Sequence, residues 1–387
     1  MKRRLLLLLT VAVLFMAVGC SGRRADDKLK VGFLFQYGEQ TVIGSKMLKA
    51  AVAACEEKNV DMEKKVGISS PAAYYDAAVE LIQTKKCAII FADSFADEQA
   101  LLKAAKEFPE VEFCCAGGVL AQTAQLPNFH NAFAHIYQGR YLTGVVAGLK
   151  LNEMMAADES IEAGEAKLGY VAEQRNAENI SAYTAFYLGA RSVCPDVTMD
   201  VKFTDSRYDE QKEKEAAQAL IEGGCVLLSQ QSDSMGVPTV CENKGVFNVA
   251  YGGANAKECP ETFLAACRMD WTPYFKYMIA QNKSDAAIAT DWAGTLEDGA
   301  VALTELGKNV AQGTKEKLEA TEKALMYGDF SVFDTEKFTV NDKKAESFAV
   351  GDTQVITNGI FEESMYRSAP YFTLEIDGIF LINEEKK

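Results

Sequence analysis

Short apolar runs rich in β-forming residues alternate with longer stretches of helical periodicity along the chain from Leu29 onwards. The first unit has a buried-strand pattern at 30–35 and a polar turn at 36–40. Apolar residues then recur at helical spacing, at Ile43, Met47, Ala50, Ala51 and Ala54. This alternation is typical of an α/β chain whose strands form parallel sheets.

The same alternation continues beyond this unit and defines the expected elements. We predict further strands at 88–91, 111–115, 168–171, 197–203, 226–228 and 246–250. We predict helices at 74–84, 97–107, 139–155, 177–192, 209–222 and 271–282. The pattern breaks near 133–138, so we expect two doubly wound lobes of similar size, at residues 29–136 and 137–264.

The rest of the chain is expected to complete both lobes. A segment within about 265–325 would complete the first lobe, and about 326–387 would complete the second. A helical stretch at 298–326 and a strand-rich tail at 330–382 would cross back between them. Because no low-complexity linker separates the lobes, we expect a compact multi-strand hinge. Ligands of such sheets bind outside the carboxyl ends of the strands, which here means the cleft between the lobes.

Composition and charge exclude several classes of protein. With 387 residues, 48% of them hydrophobic, the chain is long and apolar enough for two folded cores, which excludes collagen-like, coiled-coil and disordered chains. The formal net charge of −15 argues against a nucleic-acid partner or an anionic membrane surface.

Motifs for catalysis, cofactors and metals are missing. The sequence has no dinucleotide-binding or phosphate-binding glycine loop, no nucleophile elbow and no zinc-protease helix motif. His130 and His135 are five residues apart, off the i, i+4 ligand spacing, so no metal site is expected. Nine cysteines between Cys55 and Cys267 are scattered through apolar strands and helices, which predicts buried thiols and no disulfide framework.

The amino terminus has the pattern of a lipoprotein export signal. Three basic residues precede an apolar run from Leu5, and small residues lead to Cys20. We predict a signal peptide at 1–19, a lipidated Cys20 at the start of the mature chain, and a tether at 20–28. The alternative is an uncleaved membrane anchor. Either way, the folded part would lie on the outer face of the cell membrane.

Aromatic and acidic residues follow the predicted strands. They occur in four segments, namely Asp93-Ser94-Phe95, residues 203–209, residues 229–234 and Tyr251-Gly252-Gly253. This chemistry suits a ligand with a flat ring face and hydroxyl or amide edges. Tyr37 and Phe95 are candidate stacking residues, since they lie past strand ends, whereas Phe91 and Phe203 lie inside strands and favour the core. Helix capping is an alternative role for Asp97, Ser181, Asp209, Ser232 and Asp233.

Four stretches of the chain resemble the basic membrane protein (Bmp/PnrA-like) family of nucleoside- and purine-binding lipoproteins of ABC transporters. They are residues 135–148, residues 208–223, Gln230-Gln-Ser-Asp-Ser234 and Asp270-Trp-Thr-Pro-Tyr274. The resemblance covers nearly the whole mature chain. It implies a type I periplasmic-binding fold, with two Rossmann-like lobes joined by three crossovers and a purine base between aromatic rings.

The resemblance also implies roles for individual residues. Phe95 corresponds to the stacking residue of the first lobe and Asp233 to the polar anchor of the second, while Tyr37 lies in a loop that lines the cleft. Arg207 stands where related purine binders have a tryptophan, and its guanidinium plane can also stack. The turn after Gly252 lacks an aspartate that such relatives have. The expected ligand-binding set is Tyr37, Phe95, Arg207, Asp233, Gly252 and Trp271.

Together these patterns predict the lipid-anchored substrate-binding protein of an ABC importer, which captures a purine nucleoside or nucleobase and is not an enzyme. Its partners would be the small-molecule ligand, the permease, and the lipid bilayer through Cys20, with no cofactor and no nucleic acid. One alternative is a lipid-anchored sensor of the same fold that signals to a membrane receptor. Another is a secreted enzyme on nucleosides that uses Asp93 and Asp233 as acid or base.

Overall fold

The computed structural model describes residues 28–93, 98–157, 166–253 and 255–382. Cys20, Phe95 and Asp97 lie outside these ranges. The strands are β1 (Lys30–Phe35), β2 (Asp61–Val66), β3 (Ile89–Ala92), β4 (Glu112–Ala116), β5 (Phe129–Ala134), β6 (Lys167–Ala172), β7 (Thr198–Phe203), β8 (Leu227–Gln231), β9 (Phe247–Tyr251), β10 (Phe263–Met269), β11 (Asp291–Gly294), β12 (Val301–Leu303), β13 (Ala349–Val350), β14 (Thr353–Gln354), β15 (Ile356–Thr357), β16 (Ile360–Phe361) and β17 (Ile379–Leu381).

The helices lie between these strands, mostly as crossovers. They are α1 (Val42–Glu57), α2 (Pro71–Gln83), α3 (Glu98–Glu107), α4 (Ala121–Ala124), α5 (Ile136–Ala157), α6 (Ala177–Arg191), α7 (Glu210–Glu222), α8 (Gly236–Lys244), α9 (Thr272–Lys283) and α10 (Thr314–Met326). Within the described ranges, no helix is both long and apolar enough to cross a bilayer.

Two large sheets organise the molecule. The first has six strands in the order β11-β5-β4-β3-β1-β2, and the second has seven in the order β12-β10-β9-β8-β6-β7-β17. Neighbouring strands within these two sheets pair in parallel, except β12, which pairs antiparallel with β10. We call the first sheet with its helices the first lobe, and the second sheet with its helices the second lobe. The predicted α/β class with parallel sheets is confirmed.

The chain passes between the two sheets three times within the described residues. It leaves β5 through α5 to reach β6, returns from β10 through α9 to β11, and crosses again from β11 to β12. α5 is buried on several sides because it packs along α6 and against β10 and β12, and its apolar sequence reflects that environment.

The segment at 298–326 differs from its expected helical structure. Val301–Leu303 forms β12, which pairs antiparallel with β10, and the helix begins only at Thr314. Gly299 and Gly313 both have positive φ, at 73° and 80°, which places turns on either side of the strand. Only the second half of the expected helix is therefore helical.

The tail after α10 packs across both lobes. The backbone N–H of Ser368 donates to Asp291 of β11 at 3.0 Å, and β17 adds to the edge of the second sheet beside β7. Between these points, the rings of Phe333, Phe361 and Phe372 form a stacked and edge-on cluster. The tail is thus part of the main core.

Candidate functional site

Loops at the carboxyl ends of strands from both sheets surround a cavity that opens to solvent. The first lobe contributes loops after β1 and β3 and the first turns of α1. The second lobe contributes loops after β6, β7, β8 and β9. The strand ends of two parallel sheets therefore face each other, which is where open α/β sheets bind ligands.

The model brings together five of the six residues that the sequence predicted for the site. Their side chains or backbone line the cavity, and they are Tyr37, Arg207, Asp233, Gly252 and Trp271. The sixth, Phe95, lies outside the described residues, and so does the predicted lipidation site at Cys20.

Asp93 is fixed at the first-lobe side of the cavity. Its carboxylate accepts the backbone N–H of Gln36 at 3.0 Å and the hydroxyl of Tyr74 at 2.9 Å. Burial raises the pKa of Asp93 to about 6, although both donors and the charge of Arg207 oppose that rise. The carboxylate is thus held in place, within reach of the cavity.

Two further carboxylates, Glu173 and Glu178, lie beside Arg207 at the second-lobe side. Arg207 Nε is 3.8 Å from Glu173 Oε2, and Glu178 accepts from the side chain of Gln231 at 3.3 Å. Burial raises the pKa of both glutamates, and the Arg207 guanidinium partly offsets the effect. Neither glutamate was predicted for the site, although Glu173 directly follows β6 and satisfies the strand-end rule applied to its neighbours.

Asp233 contacts the opposite lobe. Its Oδ1 accepts the backbone N–H of Ile43, the second residue of α1, at 2.7 Å. Burial raises the pKa of Asp233 to about 6, and hydrogen bonds from Thr41 and Ile43 oppose the rise. Asp233 does not cap the helix that follows it in sequence, since the N-cap of α8 is Met235.

Of the other residues proposed as helix caps, one caps a helix in the structure and two do not. Asp209 is the N-cap of α7, and its carboxylate accepts the Lys212 N–H at 3.1 Å. Ser181 lies inside α6 and caps nothing at its start, where Asn176 is the N-cap. Ser232 donates to Glu213 at 2.8 Å. Capping therefore explains Asp209 and leaves Ser181 and Ser232 with other roles.

Aromatic rings border the cavity at different depths. Tyr37 of the first lobe lies 6.3 Å, centroid to centroid, from Tyr208 of the second, across the mouth of the cleft. Tyr251 lies deeper, with the buried guanidinium of Arg140 4.4 Å from its ring centre. Trp271 is only 6% exposed, and most of its ring packs in the core. Tyr37 is thus a more accessible ring face than Trp271.

Among the described residues, no cysteine or histidine side chain lines this cavity. The nine cysteines from Cys55 to Cys267 are all buried, which confirms the prediction of buried thiols. Burial lowers the pKa of His135 to about 4, so that imidazole is neutral at physiological pH. In the described part of the chain, no three His, Cys, Asp or Glu side chains cluster as metal ligands would.

A family model described as ABC transporter substrate-binding protein, PnrA-like (Bmp), matches residues 40–335. The chain belongs to this Bmp family. Members of the family and the structural neighbours below are solute-binding proteins of ABC transporters and not enzymes.

Two relatives of this chain have different ligands in their names. A purine-binding protein of Brucella abortus is 27% identical over 80% of this chain and 84% of its own length. A protein of Haloferax volcanii, named for glucose binding in an ABC transporter, is 28% identical over 63% of this chain. The second match spans 59% of that relative's length.

Solved structures share the fold of this Bmp protein at low identity. A solute-binding protein of Conexibacter woesei has a TM-score of 0.63 at 19% identity and covers 78% of this chain and 98% of its own. One from Aeropyrum pernix has a TM-score of 0.66 at 15% identity, with 78% and 92% covered. At these identities the likeness establishes the fold, which is that of type I periplasmic-binding proteins.

Proposed function

We propose that this Bmp protein is the lipid-anchored capture subunit of an ABC importer and binds a purine nucleoside or nucleobase in the interlobe cleft. The observation that carries the proposal is the pairing of ring faces with buried carboxylates around one cavity. Such a site matches a ligand that is flat and apolar on its faces and rich in N–H and O–H donors at its edges.

The individual contacts follow from this chemistry. Tyr37 and the guanidinium plane of Arg207 offer faces on which a purine ring can stack, and Phe95 is the further candidate from the first lobe. Asp93, Glu173 and Glu178 accept hydrogen bonds from exocyclic amines or ribose hydroxyls. The name of the Brucella relative, which covers most of this chain, favours purines over sugars.

The excess of acidic groups also favours an uncharged ligand. Asp93, Glu173 and Glu178 lie around the guanidinium of Arg207, and the other cationic side chains of the described cavity lining are Lys46 and Arg268. A phosphate group placed there would face several carboxylates in surroundings of low dielectric constant, where like charges repel strongly. A nucleoside or base avoids that repulsion.

Calorimetric titration tests the ligand. Adenosine, guanosine, adenine and D-glucose would each be added to the full-length protein, with adenosine 5′-monophosphate as the charged control. We expect a purine nucleoside or base to bind and to raise the melting temperature, because a ligand of the folded state stabilises it by mass action. Binding of D-glucose alone would replace purines by sugars as the ligand class.

The anchor is tested separately through Cys20. Cys20→Ser protein should accumulate as a slower-migrating precursor, because lipidation of this cysteine must precede cleavage by lipoprotein signal peptidase. A normally processed variant that remains in the membrane fraction would contradict the anchor and leave the ligand proposal standing.

A further inference from the structure

We propose that Asp233 is a latch between the lobes, which holds the cleft closed by binding the amino terminus of α1, and that it acts on the ligand only through closure. This role differs from the direct ligand contact that the sequence suggested for Asp233. The proposal concerns the protein's own conformational equilibrium and holds for whichever ligand occupies the cleft.

The hydrogen bond at the centre of the latch joins residues 190 positions apart in the chain. The loop after β8 places Asp233 Oδ1 2.7 Å from the Ile43 nitrogen. The first N–H groups of a helix have no acceptor within the helix. In α1, the side chain of Thr41 accepts the N–H of Gly44 at 3.1 Å, and Asp233 accepts that of Ile43. The positive end of the helix dipole also favours a carboxylate at this position.

Beside this hydrogen bond, the first turn of α1 packs against two glycines of the second lobe, Gly252 and Gly253. Gly252 has φ +79°, and a Cβ there would lie 3.2 Å from Ile43 Cγ1. A Cβ at Gly253 would lie 3.1 Å from Val42 Cγ1. The first turn of α1 therefore rests on bare backbone of the second lobe beside Asp233. These contacts join the two lobes and are lost when the lobes separate.

The loop that carries Asp233 is itself held rigidly. Ser232 and Ser234, on either side of Asp233, donate to the same oxygen of Glu213 at 2.8 and 2.6 Å. Glu213 is fully buried on α7. Because Glu213 holds the hydroxyl groups on both sides of Asp233, the Asp233 carboxylate has little conformational freedom to lose when it binds α1 on closure.

Closure and ligand contact have different consequences for affinity. A residue that favours the closed state raises the affinity of every ligand of that state by the same factor, because it changes the fraction of competent protein. A residue that accepts a ribose hydroxyl or an exocyclic amine matters only for ligands that carry that group. The two roles can therefore be separated by comparing adenosine with adenine, which lacks ribose, and with purine riboside, which lacks the amine.

The first test needs no ligand. Amide-resolved hydrogen exchange of the full-length protein in detergent would compare wild type with Asp233→Asn and Asp233→Ala. We expect the Ile43 amide to exchange faster in Asp233→Ala and to an intermediate degree in Asp233→Asn, whose amide oxygen still accepts. The Ala73 amide, capped by Ser70 at the start of α2, should be unchanged. Equal Ile43 exchange in all three proteins would overturn the latch.

The second test uses ligands and rests on the proposed function. Affinities for adenosine, adenine and purine riboside should fall by the same factor in Asp233→Ala, about tenfold to a hundredfold for the loss of a charged hydrogen bond. A loss confined to the compounds that carry ribose, or to those that carry the amine, would make Asp233 a ligand acceptor and contradict the latch. Should none of the three bind wild type, the proposed ligand fails, whereas the exchange result still decides the latch.

Two further variants serve as controls. Asp209→Ala removes a matched capping carboxylate that accepts an amide within its own lobe, so it should leave Ile43 exchange and ligand affinity unchanged. Gly252→Ala places a methyl group against Ile43 and should weaken closure while the Asp233 side chain is intact. If Gly252→Ala leaves Ile43 exchange at the wild-type rate, the contact between Gly252 and α1 is not part of the latch.

Discussion

Asp93 links the acid–base behaviour of the cleft to the stability of the fold. Burial raises its pKa in the folded protein to about 6, whereas an unfolded aspartate titrates near 3.9. Between these values the folded state binds more protons than the unfolded state does, so stability decreases as pH rises from about 4 to about 6. The ionised carboxylate at neutral pH thus costs stability, a common feature of binding sites.

Asp93→Asn should remove this dependence, because an amide does not titrate and its oxygen can still accept from Gln36. We expect the variant to lose less unfolding free energy between pH 4.5 and pH 7.5 than wild type does, by about 1–2 kcal/mol. Urea denaturation of both proteins at the two pH values measures the difference. The same pH dependence in both proteins would show that Asp93 is not a source of it.

Individual residues also show which parts of the candidate site could be predicted from the sequence. Tyr37 was chosen because it follows a strand end, and the carboxyl ends of parallel strands meet at one edge, a rule that needs no coordinates. Arg207 and Gly252 also follow strands, but they were singled out through the family resemblance. The partner of Asp233 could not be found this way, since Ile43 lies in the other lobe and its contact depends on how the lobes close. Interlobe geometry is a tertiary property that local patterns do not encode.

At the scale of elements, α5 and α6 approach so closely that glycines are required on both helices. A Cβ at Gly144 of α5 would lie 2.0 Å from the Phe186 carbonyl oxygen, and one at Gly189 of α6 would lie 2.0 Å from that of Tyr141. Backbone is less able to move aside than a flexible side chain. In the stretch at 135–148, helix packing thus explains Gly144 and Gly148, whereas Gly139 packs against β10 and β12.

Gly144→Ala should therefore destabilise the protein by about 1–3 kcal/mol, because the methyl group forces the two helices apart. Gly223→Ala is a suitable control, since Gly223 ends α7 with φ −74° and its Cβ would meet only atoms at 3.3 Å or beyond. Urea denaturation would measure both variants. Similar unfolding free energies for Gly144→Ala and wild type would contradict the close-packing explanation.

Most buried strands were predictable from their apolar runs, but β5 and β10 are buried as well and were missed. Polar His130 and Asn131 interrupt the apolar run of β5, and alanines weaken the β-forming pattern of β10. β1 matches its predicted bounds because every residue after Lys30 is buried and apolar or glycine. β2 was missed because it is a charged, largely exposed edge strand, which has no apolar pattern and whose lysines discourage pairing with another chain. β12 was missed for a different reason, since three residues are too few to show a period.

At the scale of the whole molecule, the tail beyond residue 335 lies outside the matched family region and yet belongs to the main core. The Phe372 side chain is fully buried, with its ring centre 4.4 Å from that of Phe333 and 4.7 Å from that of Phe361. The same core cluster includes residues of both sheets. The tail should consequently unfold together with the lobes.

Phe372→Ala tests this dependence. We expect it to lower the unfolding free energy by about 3–5 kcal/mol, since it removes a fully buried ring and leaves a cavity. Phe380→Ala, in the same tail but with 53% of that residue exposed, should change it by less than about 0.5 kcal/mol. Scanning calorimetry should show one transition that shifts to lower temperature in Phe372→Ala. A main transition at the wild-type temperature, with a separate small one lost, would instead make the tail an independent appendage.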